Sequence, residues 1–286
     1  MDKEIHKSED HKFIPMTSIA SRTGQEVAAD VYYYTDQIVN IIFIGNPTEE
    51  KWYLIDAGMP GSTEEIKRVI ANRFGESSKP EAIILTHGHF DHVGTITDLI
   101  EEWKVPVYAH ELEFPYLTGE KSYPEPDVTV EGGMLAKISA MYPNESIDIG
   151  KYVKPLPTDH IPGLPEWKII HTPGHSPGHV SLFRETDSLL ISGDALITVR
   201  QDSFYKVLTQ QPEVNGPPRY LTTDWKAAKT SVEKLTSLNP NTVIPGHGQA
   251  MGGQELKEGL QNLNQTFDQV AVPDYGRYVN GEDPTH

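Results

Sequence analysis

A short apolar strand, Ala82–Leu85, runs directly into Thr86-His87-Gly88-His89-Phe90-Asp91-His92. Imidazole nitrogens together with a carboxylate oxygen suit a borderline divalent ion such as zinc. On a loop leaving a strand, alternate positions point the same way, so His87 and His89 can share one ion. Asp91 and His92, at the other phase, can then turn toward a second. At this chain's composition, four such matching positions arise by chance in roughly one sequence per thousand. A lone histidine usually packs as a structural residue; three with an aspartate at the end of a buried strand do not read that way.

Three more strand ends carry the same residue types. His175 sits in Thr172-Pro173-Gly174-His175-Ser176-Pro177-Gly178, where prolines and glycines fix a tight turn and present the ring. Asp194 follows an apolar strand in Ser192-Gly193-Asp194-Ala195, and His247 follows another in Pro245-Gly246-His247-Gly248. Each glycine-rich strand end, taken singly, is as well explained by a plain turn. Four such loops in one chain read as one site assembled at one rim of a sheet.

The order of elements agrees. Val31–Tyr34, Val39–Ile44 and Trp52–Ile55 read as strands of a meander, and Asp56-Ala57-Gly58-Met59-Pro60-Gly61 ends the third. Ser62 then reads as the cap of a helix with Ile66, Val69 and Ile70 on one face. A second helix is expected over Ile96–Trp103, a third over Trp225–Leu238 and a last one around Gln254–Leu263. Strands at Val105–Tyr108, Trp167–Ile170, His179–Phe183, Ser188–Ile191 and Thr242–Ile244 complete an α/β pattern in which strands followed by a helix occur twice. Residues 1–30 read as an amino-terminal extension or edge segment, 31–270 as one domain, and 271–286 as a frayed tail. Two stretches rich in proline and tyrosine, 114–165 and 197–223, read as insertions walling a pocket, the first with a possible helix over Met134–Tyr142.

Composition narrows the chemistry. The 286 residues are 37% hydrophobic, ample for a real core. Cysteine is absent, which removes disulfides, thiolate metal sites and a cysteine nucleophile together. No run approaches the ~20 apolar residues of a membrane span, and the charged start has no apolar signal region. The reading is a cytoplasmic protein with no membrane partner. Lys and Arg number 24 against 41 Asp and Glu, for a formal net charge of −17. Such a field repels phosphate backbones, so nucleic acid is not expected as a partner. Bound metal ions would reverse the sign locally, leaving small-molecule substrates open.

Thr86-His87-Gly88-His89-Phe90-Asp91-His92-Val93-Gly94, His175 in His-Thr-Pro-Gly-His, Asp194 in Gly-Asp and His247 in Pro-Gly-His-Gly resemble, in that order, the metallo-β-lactamase superfamily. The resemblance spans roughly Val31 to Leu263. It implies an αββα four-layer sandwich with a binuclear metal site. Carried over residue by residue, His87, His89 and His175 would hold the first ion, Asp91, His92 and His247 the second, and Asp194 would bridge them. Two divalent ions, zinc foremost, would activate a bridging hydroxide near neutral pH and polarise a substrate carbonyl or phosphoryl oxygen. Asp91 would orient that hydroxide and pass a proton to the leaving group. Asp56, ending a strand beside the histidine loop, is expected as a partner of a ligand histidine, and Phe90 as a pocket residue. His110, His160, His171 and His179 read as structural residues or supports of the ligands, not as ligands.

Several branches of the family are excluded by residues that are missing. No cysteine ligand exists for the lactamases that use one, and other true β-lactamases generally lack the bridging aspartate. Too few residues follow His247 for the glutathione-binding domain of glyoxalase II. The acyl-homoserine lactonases share the Asp-x-Gly-Met-Pro turn at Asp56–Pro60, but place a tyrosine shortly after the bridging aspartate. Here Ala195-Leu196-Ile197 follows, leaving Tyr205 or Tyr220 as the tyrosines to consider. The expectation is a binuclear hydrolase of esters, lactones or thioesters. Competing readings are a mono-iron sulfur dioxygenase of the same fold, a phosphodiesterase and a binding protein without catalysis.

Overall fold

The computed structural model describes residues 18, 20–130, 146–199 and 212–279. Two compact units divide the chain: Met1–Tyr123 with Pro143–Leu156, and Pro124–Tyr142 with Pro157–His286. Each holds one mixed sheet.

The first unit's sheet runs in chain order through β1 (Thr23–Ala28), β2 (Val31–Asp36), β3 (Val39–Ile44), β4 (Tyr53–Ile55), β5 (Ile83–Ile84), β6 (Val107–Ala109) and β7 (Val153–Pro155). β1 to β4 pair antiparallel, and β4 to β7 pair parallel. β3 is buried at every position; its one polar residue, Asn40, accepts a 2.8 Å hydrogen bond from Thr35 Oγ1, which removes the cost of burying the amide oxygen. The parallel strands need crossovers. These are α1 (Thr63–Phe74), then α2 (Phe90–Val93) with α3 (Ile96–Trp103); between β6 and β7 the described residues hold the short α4 (Phe114–Leu117). α1 buries Ile66, Val69 and Ile70, and α3 buries Ile96, Leu99, Ile100 and Trp103, each at helical spacing. Trp52 anchors the same core. Its indole stacks on Phe74 at 4.4 Å, meets Trp103 edge-on at 6.3 Å and donates to Ser78 Oγ at 2.8 Å, so its one polar atom is satisfied.

Ser62 departs from its expected role. It occupies the position before α1 but makes no side-chain cap. Its hydroxyl donates instead to Asp36 Oδ1 at 2.8 Å, while the Met59 N–H donates to Asp36 Oδ2 at 2.8 Å. Burial pushes the Asp36 carboxyl above its ordinary range, and those two donors pull it back. The buried Asp36 carboxylate, rather than the start of α1, receives the Ser62 hydroxyl.

The turn after β4 is laced to the stretch that carries the histidines. Ala57 N–H donates to His92 O at 2.7 Å, Gly94 N–H to Gly58 O at 2.8 Å, and Thr95 Oγ1 to Ala57 O at 2.6 Å. Gly94 is required there, because a Cβ would fall 2.2 Å from Pro60 N and 2.3 Å from Met59 C.

In the second unit the order is β13-β12-β11-β10-β9-β8. The ranges are β8 (His160–Ile161), β9 (Leu164–His171), β10 (Val180–Arg184), β11 (Leu189–Gly193), β12 (Thr242–Pro245) and β13 (Met251–Gly252). All neighbours are antiparallel except β11 and β12, which α5 (Trp225–Ser237) connects. Asp224 caps α5 by accepting the Ala227 N–H at 2.9 Å. The last helix, α6 (Gly253–Val270), runs a further seven residues beyond the expected Leu263 because Phe267 continues its buried stripe of Leu256, Leu260 and Leu263. Arg219 donates to the carbonyls of Val270 and Ala271 at its end.

The expected extension thus contains an edge strand, β1, and the irregular stretch 114–165 contains β7 and β8. The possible helix at Met134–Tyr142 lies outside the described residues. Where a frayed tail is expected, Arg277 N–H donates to Asp127 Oδ2 at 2.5 Å and Tyr278 Oη to Glu125 O at 2.7 Å. No helix among the described residues is long and apolar enough to cross a membrane.

Two outcomes follow. Gly94→Ala should cost about 1–3 kcal/mol by forcing apart two backbones, read as a lower thermal midpoint. Glu65, which accepts from Tyr34 Oη at 2.5 Å and from Arg68, is pulled from an ordinary 4.5 down to about 2, chiefly by the Arg68 guanidinium. A lowered carboxylate stabilises fully above its unfolded value and loses that contribution as pH falls toward about 2. Denaturant unfolding at pH 5 and pH 3 should therefore show a smaller acid loss in Glu65→Gln than in the parent.

Candidate metal centre

Asp56 ends β4 with a left-handed backbone, φ 60°, uncommon for a residue with a side chain. Its buried carboxylate collects three donors: Thr86 N–H at 2.8 Å on Oδ1, and Thr86 Oγ1 at 2.7 Å with His92 Nδ1 at 2.8 Å on Oδ2. The consequence is a set of ring tautomers. His92 donates through Nδ1 and keeps the lone pair on Nε2. Thr86, having given its proton to Asp56, accepts from His87 Nδ1 at 3.1 Å, so His87 also keeps its lone pair on Nε2. His87 Nε2 lies 3.0 Å from His89 Nδ1, and the His87 and His92 rings are 4.2 Å apart. His92 Nε2 is 3.9 Å from Asp91 Oδ2. His87, His89, Asp91 and His92 are all at most 6% exposed. Phe90, half-buried, opens α2.

In the second unit, Asp194 follows β11, His175 the turn after β9, and His247 the end of β12. Asp194 Oδ2 stands 3.3 Å from His175 Nε2 and 3.3 Å from His247 Nε2. Gly174, at φ 135°, seats the His175 turn against α5, where a Cβ would lie 2.4 Å from Ala228 N. Thr222 Oγ1, which donates to Pro218 O, lies 3.3 Å from His175 Nδ1 and fixes that ring by the same logic as Thr86. Asp194 N–H donates to His179 Nε2 at 2.9 Å. His179 must therefore be neutral with its proton on Nδ1, 2.8 Å from Thr172 Oγ1. In line with its expected structural or supporting role, His179 orients the loop that carries Asp194.

Sequence reasoning missed the cradle around Gly88. Gly88 N–H reaches both Glu113 Oε2 and Tyr123 Oη at 3.0 Å, and Tyr123 Oη donates to Glu113. Glu113 is fully buried. Tyr123 packs its ring on His89 at 4.4 Å with Tyr116 stacked behind at 3.9 Å. Burial and the Glu113 carboxylate hold the Tyr123 hydroxyl well above its ordinary pKa. The only available signal was the tyrosine density of the stretch after Phe114. Tyr220 is buried, its carbonyl accepting the Asp127 N–H, and Tyr205 lies outside the described residues.

The donor set fits a divalent metal. Two ligand atoms held at 2.0–2.2 Å by one tetrahedral ion stand roughly 3.3 Å apart. The separations inside the two units, 3.0, 3.3 and 3.3 Å, lie at that spacing. The His87, His92 and His175 rings each have a hydroxyl or carboxylate on the far nitrogen, the usual support of a ligand histidine.

The model of the metallo-beta-lactamase superfamily matches residues 34–247. The chain is 46% identical over 260 residues to the probable metallo-hydrolase YflN of Bacillus subtilis (strain 168), spanning 90% of this chain and 98% of that one. It is 28% identical over 198 residues to the probable metallo-hydrolase YybB of the same organism, spanning 69% and 76%. Among solved structures, TTHA1623 in a di-iron-bound form superposes with a TM-score of 0.51 at 28% identity, over 75% of this chain and 89% of that one. BJP-1, a subclass B3 metallo-beta-lactamase of Bradyrhizobium japonicum, superposes with a TM-score of 0.58 at 18% identity, over 89% and 94%, a likeness of fold alone.

Tyr123→Phe removes the hydroxyl between Gly88 and Glu113 and leaves a buried carboxylate one donor short. The expected cost is about 1–3 kcal/mol, with faster hydrogen exchange at the Gly88 amide.

Proposed function

We propose that this chain, which belongs to the metallo-β-lactamase superfamily and is a metallo-hydrolase of its fold, uses two divalent ions to cleave a carboxylic ester, lactone or thioester of a small molecule. His87, His89 and His175 would hold one ion, Asp91, His92 and His247 the other, and Asp194 would serve both; all seven are buried side chains able to ligate a metal. When bound, two such ions bring the pKa of water close to neutrality and polarise the scissile carbonyl.

The chain's own residues do the rest. Asp91 takes the proton of the attacking water on its carboxylate and returns it to the leaving alkoxide or thiolate, so that no serine or cysteine nucleophile is needed. Asp56 keeps the His92 proton on Nδ1, and Thr86 and Thr222 do the same for His87 and His175. Phe90 would wall the pocket. The observation that carries this reading is the pair of imidazole nitrogens, each 3.3 Å from one carboxylate oxygen of Asp194, in a chain of this family.

Zinc is the first choice for this nitrogen and oxygen donor set. Iron is the second, favoured by the di-iron form of TTHA1623. Metal analysis of protein purified without chelator should give about two divalent ions per chain. Chelation should abolish turnover on an ester, lactone and thioester panel, and added metal should restore it. Asp194→Ala should retain about one ion or fewer, and Asp91→Asn should slow turnover roughly 10²-fold or more. Two tightly held ions in Asp194→Ala would remove that residue from its shared role. One iron per chain with oxygen uptake would replace hydrolysis by the dioxygenase reading.

A further inference from the structure

At the β1–β2 edge of the first unit's sheet, beside α1, lies a cavity of about 420 Å³ lined by Arg22, Tyr32, Tyr34, Arg68, Asn72 and Arg73. Three of the chain's seven arginines therefore converge on one cavity of a protein whose formal charge is −17. None of the residues assigned above to metal or to hydrolysis belongs to it.

Two of the guanidinium groups are fixed in place. Arg68 grips Glu65 with two hydrogen bonds, at 2.6 and 3.1 Å, and Tyr34 Oη holds the same carboxylate from the other side. Arg73 is paired to Glu26, its side chain only 8% exposed. Its guanidinium lies 4.7 Å over the Tyr32 ring and 5.3 Å over Phe74. Tyr32 itself lies flat on bare backbone, since a Cβ on Gly24 would fall 1.7 Å from its hydroxyl oxygen. Two of the three guanidinium groups at the cavity thus already have carboxylate partners.

Besides Arg73 Nε, which is buried without a partner, three side-chain donor groups remain uncommitted among the described residues. They are the exposed Arg22 guanidinium, whose backbone N–H alone is used, on Thr35 O, the exposed Asn72 amide and the Tyr32 hydroxyl. The lining itself holds three arginines and no carboxylate; Glu26 and Glu65 pair with Arg73 and Arg68, and Asp36 lies within electrostatic reach of Arg22. A guanidinium fork, an amide and a phenol are a donor set for the oxygens of a phosphoryl group. The volume exceeds that of a bare phosphate and falls in the range of small-ligand sites, and the Tyr32 and Tyr34 rings with Pro47 offer apolar wall to an organic substituent.

We propose that this cavity is an accessory site for a small organic phosphate monoester, with its phosphoryl group on Arg22, Asn72 and Tyr32. The test is calorimetric titration of the full-length, metal-loaded protein with phenylphosphonate, a stand-in that cannot be hydrolysed as a monoester, alongside inorganic phosphate and benzoate. The parent should bind phenylphosphonate with a Kd of about 1 mM or tighter at low ionic strength, weakening with salt. Arg22→Gln should weaken binding at least about tenfold and Asn72→Ala about threefold. Both positions are exposed, so thermal midpoint and hydrolytic turnover should stay at parental values. Absence of binding up to about 10 mM would overturn the proposal. So would binding undiminished in Arg22→Gln, which would place the anion elsewhere, the metal centre included. Inorganic phosphate binding as tightly as phenylphosphonate would overturn the role given to the organic group, and benzoate binding as tightly would overturn the choice of phosphate.

Discussion

Three protons pointed at one buried carboxylate decide how the first unit presents its histidines. Asp56 ends a strand in a left-handed conformation and receives Thr86 N–H, Thr86 O–H and His92 Nδ1–H together. Those bonds tie β4 to the loop after β5 and set which nitrogen of His92 and of His87 carries the proton. The adjoining turn, Ala57 to Pro60, is then locked against His92–Thr95 by backbone hydrogen bonds that only glycine at 94 permits. Ligand chemistry and backbone packing are here one network. A change that loosened the packing would also rotate a ring.

The second unit reaches the same end with neutral groups. A threonine hydroxyl sits behind His175, and a backbone N–H of Asp194 is delivered to His179. The family relationship of the whole chain accords with this common purpose, since a metallo-hydrolase needs every imidazole presented in one tautomer. What differs between the two units is the cost of error. A charged partner such as Asp56 leaves a buried ion behind if its donors are lost, whereas a hydroxyl leaves a dipole.

Much of this was legible in the residues. The helix over Ile96–Trp103 is found at the expected bounds because its apolar residues repeat at helical spacing and a crossover must follow β5. The α/β pattern was legible in the strand–helix order, and the metallo-β-lactamase type in the order of the histidine and aspartate motifs that resemble that family. Ser62 misled because N-cap preference is local, while the carboxylate that captured its hydroxyl comes from β2. Glu113 and Tyr123 were invisible for the same reason: their partner is the Gly88 N–H, and backbone groups leave no mark in a sequence. β7 and β8 are short segments amid prolines whose strand character comes from neighbours rather than from propensity.

The parallel pairing of β11 with β12 also has a consequence in time. Because α5 must be made and laid down between those strands, the carboxylate at 194 waits for the imidazole at 247 through the whole synthesis of that crossover. His87, His89, Asp91 and His92 leave the ribosome almost together, and their partner Asp56 has already emerged. The early group is local and quick to close, and the late one is non-local and slow. A chain interrupted before β12 would carry His87, His89, Asp91 and His92 without His247. With the ligand set proposed above, stable metal capture would mark a finished molecule, and a released fragment would compete poorly for the ion.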